Sequence, residues 1–312
     1  MTILKAASGG LRYLLTKYRL LVGLLVVVTP LLFVWYSHGA RNAMPRQLEE
    51  LTGGFSRPLG IAVGTDRKIY VTDSVYHRIV IFDVQGTQLG TLGSFGVNSG
   101  EFRYPTGVAV AGSGEVFVAD FHNERVQVFN AAGDFLHSFP SAEGNVLRPT
   151  AIGVTGERIY VADVASHQIV IFDFDGRELA RVGSGKGMEP GALSFPNGLA
   201  LDSESDRLFV ADSNNSRVQV FTLDGEFLEV LEGGESMVHP RGLAYDRLRG
   251  VLYVADTLAN CVHVFDDGVL IGSFGWPTDQ STGVGFPSGL AVMDGKIYIA
   301  DRANDLVGVW GY

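Results

Sequence analysis

From about residue 46 to the end of the chain, short apolar runs rich in Val, Ile, Phe and Tyr alternate with breaks containing Gly, Asp and Asn. That texture predicts strands joined by tight turns, because β-branched and aromatic side chains fit a pleated surface and the break residues fit turns. One earlier segment departs from it. Leu20 to Tyr36 reads LLVGLLVVVTPLLFVWY, 17 residues without a charge, which as a helix spans roughly 26 Å, enough to cross a bilayer's hydrocarbon core. Pro30 is tolerated in such a helix, and Trp35 and Tyr36 fall where an interfacial anchor belongs. Lys5, Arg12, Lys17 and Arg19 precede the run and only Arg41 and Arg46 follow, so the positive-inside bias places the N-terminus in the cytoplasm. The expected organisation is a short basic cytoplasmic tail (1–19), a signal-anchor helix (20–36), a linker (37–45) and one folded domain (46–312) on the periplasmic or extracellular side. A cleaved signal peptide is the competing reading, but the leader is long and Ala40 has His38 at its minus-three position.

The strand-rich part repeats. PxG occurs at Pro58, Pro105, Pro196, Pro240 and Pro287, with Pro149 in the same place lacking the glycine; successive prolines are 47, 44, 47, 44 and 47 residues apart. Each is followed 14 to 16 residues later by an aspartate that ends an apolar run: Asp73, Asp120, Asp163, Asp212, Asp256 and Asp301. Nine residues after each aspartate stands an aromatic, Phe82, Phe129, Phe172, Phe221, Phe265 or Trp310. The constant spacing predicts a fixed hairpin, and a fourth run follows a DG-type turn in the first five units. In the first run of each unit the third position is small: Ala62, Ala109, Gly153, Ala200, Ala244 and Ala291. Placing that run innermost predicts that the small residue faces the narrow axis while its neighbours fill the interfaces between sheets. The sixth unit stops after its third strand, and Arg46–Gly54, RQLEELTGG, matches the fourth strands of the others. It is expected to complete the last sheet and remove its open edge.

P-x-G-[IVL]-A, then [IVL]-[YF]-[VI]-[AT]-D, then R-[VI]-x-[VI]-F resembles the NHL repeat family over residues 46 to 312. The resemblance implies an all-β, six-bladed β-propeller. It also implies that the loops joining second to third strands share one face with the connections between blades, and that this face carries ligands. The arginine at Arg78, Arg125 and Arg217 is replaced by Gln168, Cys261 and Leu306 in the other units.

Composition sharpens the functional reading. Six of the 24 basic residues and none of the 34 acidic ones lie in residues 1–46, so the rest is strongly acidic. Such a body repels phosphate backbones, and nucleic acid is not an expected partner. The single cysteine, Cys261, excludes an intrachain disulfide. The six aspartates raise calcium as a question, but at one repeat position they are expected to be structural, each accepting backbone N–H bonds in its turn. Arg57, Arg103, Tyr104, Arg148 and Arg241 cluster beside the repeat prolines on the expected ligand face, together with Asn123, Asn214 and Asn260; they form the predicted binding rim. His77, His122, His167 and His239 fall on the same face and raise zinc at the channel mouth. Against it, His77 and His167 are four residues past their aspartates and His122 only two. His263, in a third strand, is assigned no function.

No nucleophile elbow, HExxH or phosphate loop appears. The first functional expectation is therefore a membrane-tethered scaffold, held by residues 20–36 and binding a protein, or a polysaccharide, through one face, with no cofactor required. The alternative is a metal-dependent lyase or hydrolase using some of the four histidines at the central channel. An amidating-lyase branch implied by the resemblance holds a metal there, but its other catalytic residues find no match in this chain.

Overall fold

The structure, a computed structural model, describes residues 44–140, 147–275 and 284–312. The expected anchor helix at Leu20–Tyr36 lies outside them, and among the described residues no helix is long and apolar enough to cross a membrane. The chain divides into Met1–Met44 and Pro45–Tyr312; the second is a β-propeller. Among the described residues it contains six four-stranded antiparallel sheets. Blade 1 runs Pro58–Val63, Ile69–Asp73, Arg78–Phe82 and Gln88–Leu92; blade 4 runs Pro196–Asp202, Arg207–Asp212, Arg217–Phe221 and Phe227–Leu231. The inner strand of each blade packs beside that of the next, and the last beside the first, so the ring is closed.

Closure follows the expected route. Arg46–Leu51 pairs antiparallel with Leu306–Gly311 and becomes the outer strand of blade 6. The match extends to a defect. Every outer strand carries a register shift opposite the third strand, and the extra residue is Leu89, Leu136, Leu179, Leu228, Ile271 or, in the closing strand, Leu48. A bulge twists an edge strand and unpairs part of it, which discourages edge-to-edge association.

The core lies between blades. Blades 6 and 1, for example, share Leu51, Phe55, Ile61, Phe82, Tyr298 and Val309. Here the structure corrects the expected orientation of the inner strand. Leu59, Ile61, Val108, Ile152, Leu199, Leu243 and Leu290 line the axial channel, whereas Ala109 and Ala200 belong to clusters between blades. Gly153 explains the restriction: a Cβ added there would run into Leu201 and Leu199 of the next blade. The small third position is thus set by the neighbouring inner strand and not by the axis.

The glycine of PxG has a different cause. A Cβ on Gly198 or Gly242 would land on the carbonyl oxygen of Arg241 or Ser288 in the next blade, a backbone obstacle that no rotamer change clears. Prolines of neighbouring blades are also tied together by hydroxyls. Ser74, Thr106, Thr150, Ser213 and Thr257 each donate to the carbonyl of the next blade's repeat proline at 2.6–2.9 Å. Where the residue after the aspartate is Phe121 or Val164, the residue after the proline supplies the hydroxyl instead, as Thr106 or Thr150. Two sequence positions share one bonding task.

Candidate functional site

The register puts each repeat proline opposite its aspartate, Pro58 with Asp73 through Pro287 with Asp301. The turn after the second strand and the connection entering the blade therefore meet at one end of every sheet. Backbone bonds join them in all six blades, from Val75 N–H to Ser56 O through Ala303 N–H to Gly285 O. The aspartate carboxylates complete this junction. Asp73 accepts from Ser56 N–H and Arg78 Nε; Asp120 from Arg103 N–H, Asn123 Nδ2, Arg125 Nε and Gln127 Nε2. Asp163 takes Arg148, Ala165 and Ser166 N–H groups, and Asp212 takes Ser194 N–H, Asn215, Arg217 and Gln219. Asp301 accepts from Gly285 N–H and from Asn304. In Asp256, burial works to raise the pKa, but bonds from His263, Val238, Ala259 and His239 outweigh it and leave the carboxyl lowered. His263 fills the place of Gln127 and Gln219, with Nδ1 2.7 Å from Ser273 Oγ. Beside it, burial pushes the Cys261 thiol up to about 12, so that sulfur is not a ready nucleophile.

The fourth residue after each aspartate is left-handed in every blade: His77, Glu124, His167, Ser216, Asn260 and Asp305 have φ between 52° and 58°. That conformation turns the side chain onto the next blade's connection. His77 Nδ1 accepts Tyr104 N–H at 2.9 Å, His167 Nδ1 accepts Phe195 N–H at 3.1 Å, Asn260 Oδ1 accepts Phe286 N–H at 2.9 Å and Asp305 Oδ1 accepts Arg57 N–H at 2.7 Å. A ring nitrogen that accepts from an amide must be unprotonated, so both histidines are held neutral with the proton on Nε2. His122 instead is exposed and lies against Tyr104, ring centroids 5.5 Å apart. The four histidines do not gather. Among the described residues no group of three or more His, Cys, Asp or Glu could hold a metal ion, and the channel-mouth zinc or calcium considered from sequence gains no ligand set from them.

Burial lowers His77, with His122 and Arg103 adding repulsion; burial and Lys186 lower His167, and burial and Arg241 lower His239. The unfolded chain therefore binds more protons below the ordinary value of 6.5, and stability contributed by these groups, complete above that value, is lost as the pH falls through it. The midpoint of thermal unfolding is expected to drop between roughly pH 7.5 and 5.5. In the double variant His77→Asn, His167→Asn, which keeps an acceptor as Asn260 does, this slope should flatten. An unchanged slope would show that the two rings do not control it.

The predicted rim separates into bonded and free groups. Asn123 Nδ2 is committed to Gly96 O and Asp120, and Asn260 to Phe286, whereas Asn214 is exposed. Arg148 approaches Glu124 at 3.8 Å. The guanidinium groups of Arg57, Arg103 and Arg241 have no hydrogen bond or ion pair to described residues. Several neighbours escaped the sequence reading: Tyr76, Phe95, Phe195, Leu258 and Phe286 are exposed at the same end, and Arg302, directly after Asp301, points into a groove of about 490 Å³ with Ser56, Arg57 and Phe286. Alignment could have found three of them, because Phe195 and Phe286 occupy the pre-proline place of Arg57 and Tyr104, and Arg302 follows its aspartate as Ser74 does. The axial cavity holds about 80 Å³, room for several waters.

The fold is a six-bladed β-propeller with exposed arginine and aromatic side chains at the end carrying the repeat prolines. The NHL repeat family model matches residues 55–82, 102–129 and 193–221, the corresponding part of blades 1, 2 and 4. The propeller thus carries NHL repeats. Among solved structures it is similar to a streptogramin B lyase (17% identity, 84% of this chain and 96% of that one, TM-score 0.63). A catalytically inactive virginiamycin B lyase from Staphylococcus aureus with quinupristin is similar at 16% identity, over 85% and 84% of the two chains, TM-score 0.61. Hydrazine synthase of Kuenenia stuttgartiensis is similar at 12% identity, over 86% and 99%, TM-score 0.59. At these identities the likeness is one of fold. No curated protein sequence matches the chain.

Proposed function

We propose that the chain is a membrane-tethered scaffold that binds a protein partner through the end of the propeller carrying the repeat prolines. The observation that supports this most is the make-up of that end: Arg57 and Arg302 line one groove with exposed Phe286, and Arg103 lies at the same end of the sheets as exposed Tyr76, Phe95, Phe195 and Leu258. Arginine and aromatic side chains in one place are what desolvated protein contacts favour, and a stiff disc presents them with little ordering cost. The tether is proposed from the uncharged run Leu20–Tyr36 and the basic residues before it; it would confine the search for a partner to the membrane plane.

The test uses the tagged full chain, extracted from its native membrane in mild detergent, and quantifies what co-purifies. The variant Arg57→Ser, Arg103→Ser, Phe195→Ser should recover the partner at least tenfold less, while Leu248→Ser, at the other end of the propeller, should recover it normally. Equal recovery by both variants would move the interface off this face.

A further inference from the structure

The connections between blades alternate. Those entering blades 2, 4 and 6 span 13 or 14 positions, from Leu92 to Pro105, Val182 to Pro196 and Phe274 to Pro287, against 9 from Pro140 to Pro149 and from Leu231 to Pro240. The residue before the repeat proline alternates with them. It is Tyr104, Phe195 or Phe286 at blades 2, 4 and 6, and Arg57, Arg148 or His239 at blades 1, 3 and 5. In a closed ring of six blades, an aromatic and a basic side chain thus each recur at every second blade.

The longer connections into blades 2 and 4 are built alike. Asn123 and Asn215 donate to Gly96 O and Gly187 O, and Arg125 and Arg217 donate to Glu101 O and Ala192 O. Gln127 and Gln219 each bond the connection twice, donating to those last two carbonyls and accepting from Gly100 and Gly191 N–H. The amides of all three aromatics are then fixed from the preceding blade, by His77, His167 and Asn260. Yet the rings held in this way are not core. Phe195 is 40% and Phe286 45% exposed, and Tyr104 is half-buried beside His122. Nor does the backbone demand a ring there: Arg57 has its amide held in the same manner, by Asp305, and shares the left-handed φ, but carries a guanidinium. The fold accepts either side chain, so the recurrence of aromatics at every second blade needs a cause outside it.

A ring presented on a rigid connection costs little ordering on contact and suits a protein interface. Exposed Arg57 and Arg148 stand between the rings and favour acidic residues opposite them. Resting on the scaffold reading, we infer that this end of the propeller is a three-fold docking surface for a homotrimeric protein seated on the channel axis. Each subunit places the same acidic, apolar-tipped segment on one of Tyr104, Phe195 and Phe286. A closed three-fold partner has one patch to offer three times, and three contacts made on one stiff disc reinforce one another through effective concentration.

The experiment places the photoreactive residue benzoylphenylalanine at Tyr104, Phe195 or Phe286, one at a time, in the tagged full chain. A fourth chain carries it at Arg103, also at this end but outside the three-fold set, and reports on the scaffold reading itself. After irradiation in the native membrane and extraction in mild detergent, the attached peptides are sequenced, and the mass of the complex extracted without irradiation is measured. The expected result is one and the same partner segment attached at all three positions, with a mass of one propeller and three partner chains. Tyr104→Ser, Phe195→Ser and Phe286→Ser should each lower partner recovery roughly tenfold, since each removes one of three equivalent contacts. A different segment at each position, one partner chain per propeller, or attachment from Arg103 alone would each overturn the three-fold surface and leave the scaffold reading standing. Attachment from none of the four would remove both.

Discussion

Deleting Arg46–Leu51 from the full chain is expected to abolish cooperative unfolding of the propeller and produce soluble aggregates. The strand supplies the outer edge of blade 6 through five paired positions with Leu306–Gly311. Without it, the third strand of that blade presents a row of unpaired backbone groups to solvent, an edge that natural sheets avoid. The loss is also hydrophobic: Leu51 is 3% exposed and packs with Phe55, Phe82, Val307 and Val309 across the last interface of the ring. Truncating one such leucine costs about 2–5 kcal/mol, while a whole domain holds only about 5–15 kcal/mol. Leu51→Ala should therefore lower the denaturant midpoint measurably and leave a monomer, and the deletion should leave no monomer by size exclusion. A monomeric deletion variant with a wild-type midpoint would show that the ring does not need this closure.

The closing strand was legible because it repeats its counterparts residue by residue, down to the leucine that becomes the bulge. Blade number, strand order and the shared end of turns and connections were legible for the same reason, as constant spacing fixes register. The facing of the inner strand was not. With both of its sides covered, polarity does not mark which residues look at the axis, and a small residue at a blade interface reads the same as one at a crowded centre. The rim shows a similar boundary. That its residues share one end of the sheets could be read, but the commitment of His77 and His167 could not, because it depends on a left-handed residue reaching a backbone amide 27 or 28 positions away. Arg302 was not legible because it stands directly after the repeat aspartate, a position that varies from Ser74 to Phe121, Val164, Ser213 and Thr257, so no repeat pattern marks it.

The second large effect is expected at a repeat aspartate. Asp212 is fully buried and accepts Ser194 N–H at 2.6 Å, Arg217 Nε at 2.7 Å, and Asn215 Nδ2 and Gln219 Nε2 at 2.9 Å. Asp212→Ala takes an acceptor from all four donors, one of them a cation whose side chain is only 14% exposed; Arg217, Asn215 and Gln219 keep backbone carbonyls, but Ser194 N–H and the Arg217 charge lose their partner. Breaking one side of a buried charged pair costs about 3–5 kcal/mol, mostly through the partner left unpaired. For a domain of this size that corresponds to a fall on the order of 10 °C in the unfolding midpoint. The exposed pair Arg158–Asp224 provides the contrast, because solvent screens it and Asp224→Ala should cost at most about 1 kcal/mol of stability. Adding Arg217→Met to Asp212→Ala should recover part of the loss, since an apolar side chain no longer demands the missing carboxylate. If Asp212→Ala proves as mild as Asp224→Ala, the junction of turn and connection is held by its backbone bonds, and the aspartate at this position is kept for something other than stability.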